Sequence, residues 1–199
     1  MTLYDETYRI ESTRLSGWDY TQAGYYFVTI CCKNRENFFG AIRDGLMHDS
    51  ALAQIIAEEW QKTPVIRQHV RLDEWIIMPN HVHGILIFTE SVETPRRGVS
   101  FLKHRMPSPG DETPQAGKTP HRGVSTGLQT NSLGAVIGQF KSVCTKRIWK
   151  AGYAHFGWQA RFYDRILRDE DALFKARQYI RTNPLRWEID QNNPANLYM

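Results

Sequence analysis

The sequence predicts an α+β fold, in which an antiparallel sheet packs against helices, and three observations carry this prediction. Four short runs of apolar, β-branched and aromatic residues have the length of strands. Two longer segments repeat apolar residues at helical spacing, and a third has the capping residue, acidic first turn and terminal Pro of a helix. The order is strand, helix, strand, strand, helix, strand, helix. It is that of a ferredoxin-like or RRM-like sheet with helices on one face, the other face free for a ligand, and one added C-terminal helix.

The first half of the chain contains three of the predicted strands and one helix. Residues 25–32 are rich in aromatic and β-branched side chains and predict a central strand. Asp49 or Ser50 can cap a helix that ends before Pro64. Residues 70–78 and 81–88 then predict two buried strands, which the turn residues Pro79 and Asn80 separate.

The second half begins with a strongly amphipathic helix after Ser132. Its apolar stripe has helical offsets and consists of Leu133, Val136, Ile137, Phe140, Val143, Cys144 and Ile148. Residues 162–167 predict the fourth strand. Asp169 can cap a last helix that carries acids in its first turn and stops at Pro184.

Residues 89–131 differ in composition, because they are rich in Pro, Ser, Thr and Gly and almost lack periodic apolar residues. We interpret them as a flexible low-complexity insertion, although their arginines leave nucleic-acid contacts open. The predicted boundaries are a main domain in two parts, 1–88 and 132–187, the insertion 89–131, and a C-terminal tail 188–199.

Composition narrows the class of protein. The chain has 199 residues and 41% hydrophobic residues, which suits one folded domain. It has no apolar run long enough to cross a bilayer and no signal-peptide pattern, so a cytoplasmic location is expected. Cys31, Cys32 and Cys144 lack metal-binding spacing and are expected to be reduced thiols.

Basic charge is concentrated in the last third of the chain. Residues 133–187 contain eleven Lys and Arg but only four Asp and Glu, although the whole chain has a formal charge of only +4. Aromatic residues lie among these cations, which is typical of a surface that binds single-stranded nucleic acid. A solvated helix face over core aromatics explains the same pattern.

Two short motifs contain candidate site residues. His81 and His83 would share one face of a strand, about 6.6 Å apart, which suits two imidazoles on one metal ion. Ordinary hydrogen-bonded histidines remain the alternative. Tyr179 and Asn183 are four apart on the last helix, so a hydroxyl nucleophile and an amide oxygen would share one face. Simple packing of the tyrosine is the alternative there.

Three motifs closely resemble those of the REP-associated tyrosine transposases and the related TnpA-type insertion-sequence transposases, members of the HUH single-tyrosine nuclease superfamily. In chain order they are Met78-Pro79-Asn80-His81-Val82-His83-Gly84, Trp158-Gln159-x-Arg161-Phe162-Tyr163-Asp164 and Tyr179-Ile180-x-x-Asn183-Pro184. The match covers most of the chain outside the insertion. The resemblance implies that His81, His83 and Asn183 hold a metal ion and that Tyr179, on a catalytic C-terminal helix, is the nucleophile.

The resemblance implies a metal-dependent endonuclease and strand transferase that acts on single-stranded or hairpin DNA through a 5′-phosphotyrosine intermediate. Mg²⁺ or Mn²⁺ is the expected cofactor, since a cation offsets the negative charge that makes a phosphodiester resist attack. The cations expected to contact DNA are Lys141, Lys146, Arg147, Arg161, Arg165, Arg177 and Arg181.

Two other functions fit the residues. A non-catalytic nucleic-acid-binding module of RRM-like fold would use the histidines and the tyrosine for recognition only. A metal hydrolase of small phosphoesters would use the histidine pair but give the basic third no role. The DNA target, any general base, and the choice between a monomer and a homodimer with a shared site stay open.

Overall fold

The computed structural model describes residues 14–90, 129–190 and 192–194, and the backbone of two short strands, β1 (Leu3–Tyr4) and β2 (Thr7–Tyr8). The predicted insertion 89–131 lies almost entirely outside the described residues, and the tail 188–199 lies partly outside them. The predicted domain boundaries therefore stay a prediction.

The main sheet has four antiparallel strands in the order β6, β7, β3, β8. They are β3 (Gly24–Cys31), β6 (Val70–Met78), β7 (His81–Phe88) and β8 (Tyr163–Leu167). The first of these strands in the chain therefore lies between the third and the fourth. Every neighbouring pair is antiparallel, which confirms the predicted α+β class.

The described helices begin where capping residues satisfy backbone N–H groups. The helices are α1 (Ala51–Gln61), α2 (Thr63–Ile66), α3 (Leu133–Lys150) and α4 (Glu170–Thr182), with 3-10 helices at Lys33–Arg35 and Pro184–Ile189. Ser50, Ser132 and Asp169 accept hydrogen bonds from the first turns of α1, α3 and α4. Ser50, rather than Asp49, is therefore the cap of α1.

Several short elements were not predicted, including β1 and β2. A hairpin of β4 (Gly40–Arg43) and β5 (Leu46–Asp49) precedes α1. The one-turn helix α2 comes directly after α1. Runs of four residues are too short to establish a period, so the sequence pattern does not reveal them.

Side-chain alternation in β3 separates two cores. Tyr26, Val28 and Ile30 pack on one face, in a cluster with residues of α1 and α3. Phe27 points to the opposite face and packs with Leu173 of α4 in a second cluster. The added helix α4 therefore lies on the opposite face of the sheet from α1 and α3. It covers part of the face that was expected to be free, and an open cleft remains beside β3 and β8.

Gly84 of β7 lets α1 approach the sheet closely. A Cβ atom at Gly84 would lie 2.4 Å from Cζ2 of Trp60, a buried residue of α1. Glycine thus makes room for the indole in the middle of the strand that carries the histidine pair.

None of the described helices is both long enough and apolar enough to cross a membrane.

Candidate active site

His81 and His83 are fully buried on one face of β7, where strand alternation predicted them to lie together. Their Nε2 atoms are 2.9 Å apart. This distance is too short for two facing lone pairs, so a proton or a cation must lie between the rings.

Neighbouring side chains set the direction of each imidazole. Asn80 donates from Nδ2 to the carbonyl oxygens of Arg35 and Asn192, at 2.8 and 2.9 Å. Its Oδ1 must therefore face Nδ1 of His81, 2.8 Å away, which donates and leaves Nε2 as a lone pair. His83 has the Thr29 hydroxyl 2.9 Å from Nδ1. Because a hydroxyl both donates and accepts, His83 can also carry its proton on Nδ1 and present Nε2 to a metal.

Burial keeps both histidines neutral. Burial, with the positive charge of Arg35, lowers the pKa of His81 to about 3. Burial and the adjacent His81 also lower the pKa of His83 well below its ordinary value. Neutral imidazole is the form that binds metal ions.

Tyr179 reaches the histidine pair from α4. Its hydroxyl oxygen lies 3.5 Å from Nε2 of His83 in the same chain. Its ring packs edge-on against His83 and Phe27. Burial and the nearby Asp190 carboxylate raise the pKa of the tyrosine, so it is a phenol at neutral pH. The half-buried residue also lines an open cleft.

Asn183 caps the C-terminal end of α4 and is buried. Its Nδ2 lies 3.4 Å from the carboxylate of Asp190, which can only accept a hydrogen bond. Its buried Oδ1 has no hydrogen-bond partner among the described residues. An unpaired buried amide oxygen is costly, and a cation would satisfy it.

Asp190 is a candidate ligand that the sequence patterns missed. It is buried directly after the 3-10 helix Pro184–Ile189, and the backbone N–H of Asn192 donates to it at 2.6 Å. A single acid in a polar tail has no periodicity or spacing that would have revealed it. Only its position beside the histidines in the structure identifies it as a candidate ligand.

These residues fit a divalent cation. Ligand atoms of His81, His83 and Asp190 lie within 4.8 Å of one another. Adjacent ligands of an octahedral ion, each about 2.1 Å from it, are about 3.0 Å apart, which matches the spacing of the imidazole nitrogens. Two imidazoles with a carboxylate oxygen form a mixed donor set for a borderline divalent ion.

The predicted DNA-contacting cations separate into groups. Arg161 and Arg165 line the cleft beside Tyr179. Lys146 is exposed on α3, and Lys141 on the same helix donates to the carbonyl oxygens of Gln159 and Arg161, at 2.5 and 3.0 Å. The other three form ion pairs with carboxylates: Arg147 with Glu58 and Glu59, Arg177 with Asp73, and Arg181 with Glu74. Their role in DNA binding stays a prediction.

Sequence comparison relates the chain to a curated protein. A protein of Haemophilus influenzae, described as uncharacterized, is 34% identical over 180 residues, which cover 90% of this chain and 91% of that protein. The chain belongs to the same family. No protein-family model matches the sequence.

Structure comparison relates this family member to a solved fold. A REP-associated tyrosine transposase bound to a REP hairpin superposes with a TM-score of 0.53 and 16% identity, over 89% of this chain and 74% of that one. At this identity the likeness establishes a shared fold, in agreement with the four-stranded antiparallel sheet and its helices.

Proposed function

We propose that this chain is a metal-dependent single-strand DNA endonuclease and strand transferase of the transposase type, with Tyr179 as its nucleophile. The observation that carries the proposal is the 3.5 Å distance between the Tyr179 hydroxyl and Nε2 of His83, a buried neutral imidazole. A phenol at the wall of a cleft, beside a metal-type donor set, is suited to nucleophilic attack on a phosphodiester.

His81, His83 and Asp190 would hold the metal ion, and the unpaired Oδ1 of Asn183 would complete the set. We propose Mn²⁺ or Mg²⁺, and the two nitrogen donors favour Mn²⁺. When bound there, the cation neutralises charge on the scissile phosphate and polarises it.

The protein's own residues would carry the bond changes. The oxygen of Tyr179 attacks phosphorus, and the bond from phosphorus to the 3′ oxygen breaks. That oxygen takes up a proton from solvent, so a 5′-phosphotyrosine remains beside a free 3′-OH. The phenol loses its proton to solvent during attack, because its raised pKa keeps it protonated beforehand. Attack by another 3′-OH on phosphorus reverses the step and joins two strands without ATP.

Hairpin DNA with a single-stranded flank is the proposed substrate. The exposed arginines that line the cleft, Arg161 and Arg165, suit a polyanion. The solved structure of shared fold was bound to a REP hairpin, which supports the choice of hairpin DNA for the test.

The test uses a labelled hairpin oligonucleotide with a single-stranded flank, incubated with Mn²⁺. We expect a protein–DNA adduct that survives denaturation, depends on the metal, and is lost in Tyr179→Phe although this variant still binds the oligonucleotide. The matched control is Tyr153→Phe, which removes a hydroxyl from an exposed tyrosine outside the site and should keep the adduct.

Two results would contradict the proposal. An adduct that persists in Tyr179→Phe would assign the nucleophile elsewhere. Tight binding that is insensitive to EDTA, with no adduct, would favour the non-catalytic nucleic-acid-binding module.

A further inference from the structure

A cleft of about 700 Å³ extends from Tyr179 and His83 along the open part of the sheet. Its floor consists of β3 and β8 side chains, with Phe27 and Leu167 forming the apolar part. Its volume is within the range of about 300–1,000 Å³ that is typical of sites for small organic ligands.

Small residues on α4 create this space. Ala172 and Ala176 are four residues apart on the helix and both line the cleft. Tyr179 follows on the same wall, three residues after Ala176. A longer side chain at position 176 would project into the space above the floor, next to the tyrosine.

The charge of the cleft favours an anionic ligand with an apolar part. Arg165 on β8 and Lys175 on α4 both line it and are exposed, and Lys175 also forms an exposed ion pair with Asp171, at 2.6 Å. None of the described residues that line the cleft is acidic. An apolar floor between cations suits a nucleotide, whose base has an apolar face and whose phosphate is anionic.

We propose that this cleft holds an unpaired nucleotide immediately next to the scissile phosphate. Its base packs over Phe27 and Leu167 beside Ala176, and its flanking phosphates contact Arg165 and Lys175. This inference rests on the proposed function, since the cleft lies next to Tyr179. If the nucleotide adjoining the cleavage position binds there, the protein recognises that nucleotide as part of its substrate. The base must be out of a duplex to enter, so the scissile bond lies in the single-stranded flank.

The test places a larger side chain in the cleft and then removes the DNA base that would otherwise occupy it. Ala176→Leu is compared with Gln178→Leu, which adds the same side chain to an exposed position of α4 outside the cleft. Both variants receive a set of flanked hairpins, each with one abasic position near the cleavage site. Binding is measured by fluorescence anisotropy and adduct formation by denaturing gel.

With intact DNA, Ala176→Leu should lose about tenfold or more in affinity and adduct rate, whereas Gln178→Leu should match the wild type. One abasic position should restore Ala176→Leu to near the wild-type level, because the leucine then takes the place of the missing base. The same abasic position should weaken binding by the wild type about tenfold. Arg165→Gln should lower affinity and reduce its salt dependence.

Equal affinity and adduct rate of the two leucine variants on intact DNA would overturn the proposal. So would a folded Ala176→Leu that is defective and rescued by no abasic position. If the wild type forms no adduct at all, the proposed cleavage fails, but abasic rescue of binding still reports whether a base occupies the cleft.

Discussion

The carboxylate of Asp190 lies beside the two imidazoles and is held there by neighbouring hydrogen bonds. The backbone N–H of Asn192 and the amide of Asn183 both point at it. These contacts turn the carboxylate of a tail residue into a preorganised oxygen donor.

Asp190→Asn keeps the shape of this side chain and removes its negative charge. We expect the affinity for Mn²⁺ to fall by roughly tenfold to 100-fold, measured by isothermal titration calorimetry, with a parallel loss of adduct rate. Glu188→Gln removes an exposed acid from the same segment and is the control. Unchanged Mn²⁺ affinity in Asp190→Asn would leave Asn183 as the oxygen ligand.

The histidine pair also predicts how metal binding depends on pH. Because the pKa of His81 is about 3 and that of His83 is also depressed, protons compete little with the metal above pH 5. We expect Mn²⁺ affinity to change by less than about threefold between pH 7.5 and 5.5, whereas two ordinary histidines of pKa about 6.5 would lose about 100-fold.

The same shifts set the sign of the effect on stability without metal. Below about pH 6.5 the unfolded histidines take up protons while the folded pair stays neutral, so acid favours unfolding. Urea unfolding between pH 7 and 5 should therefore show a falling free energy of unfolding, and His81→Gln should flatten this slope.

At the scale of elements, two ion pairs connect α4 to the edge strand β6. A register irregularity between Leu72 and Trp75 lies where Asp73 and Glu74 meet α4. Asp73 pairs with Arg177, at 2.5 Å, and Glu74 pairs with Arg181. These contacts flank Tyr179 on the helix, so we expect them to position the nucleophile.

The substitution Arg177→Ala distinguishes a role of Arg177 in positioning Tyr179 from a direct contact between Arg177 and DNA. A positioning role predicts a roughly tenfold to 100-fold lower single-turnover adduct rate with unchanged DNA affinity and salt dependence. A phosphate contact instead predicts weaker binding and a salt slope smaller by about one. The exchanged pair Asp73→Arg with Arg177→Asp should recover part of the rate only if the ion pair itself matters.

The contact between Gly84 and Trp60 joins α1 to the strand of the histidines. Gly84→Ala would force a methyl group against the indole, and we expect it to lower the free energy of unfolding by about 1–3 kcal/mol in urea. Gly138→Ala, at an exposed position inside α3, should instead be neutral or stabilising by up to about 1 kcal/mol. Equal effects of the two substitutions would contradict close packing at Gly84.

At the scale of the whole molecule, one chain contains every part of the candidate site. The histidines come from β7, the tyrosine and Asn183 from α4, and Asp190 from the segment after it. We therefore expect cleavage in cis. Mixing Tyr179→Phe with His81→Ala should give no more adduct than either variant alone, and recovery of activity in the mixture would indicate a site shared between two chains.

The sequence by itself determined the four strands of the main sheet, the main helices and the face on which His81 and His83 lie. These features follow from local rules, because alternation fixes the face of a strand residue and capping fixes a helix start. Residues 70–78 and 81–88 were predicted with the bounds that β6 and β7 have. The amphipathic stripe after Ser132 likewise matches the buried residues of α3 apart from the partly exposed Val143 and the additional buried Gly134.

Only the tertiary structure decided which distant residues meet. It brought Asp190 to the histidines, paired Arg177 and Arg181 with carboxylates of β6, and left a cleft beside Ala176. These contacts join residues that are far apart in the chain, so no periodic pattern in the sequence indicates them. They depend on where α4 packs across the sheet, which is set by the apolar side chains that it buries with Phe27 and Leu167.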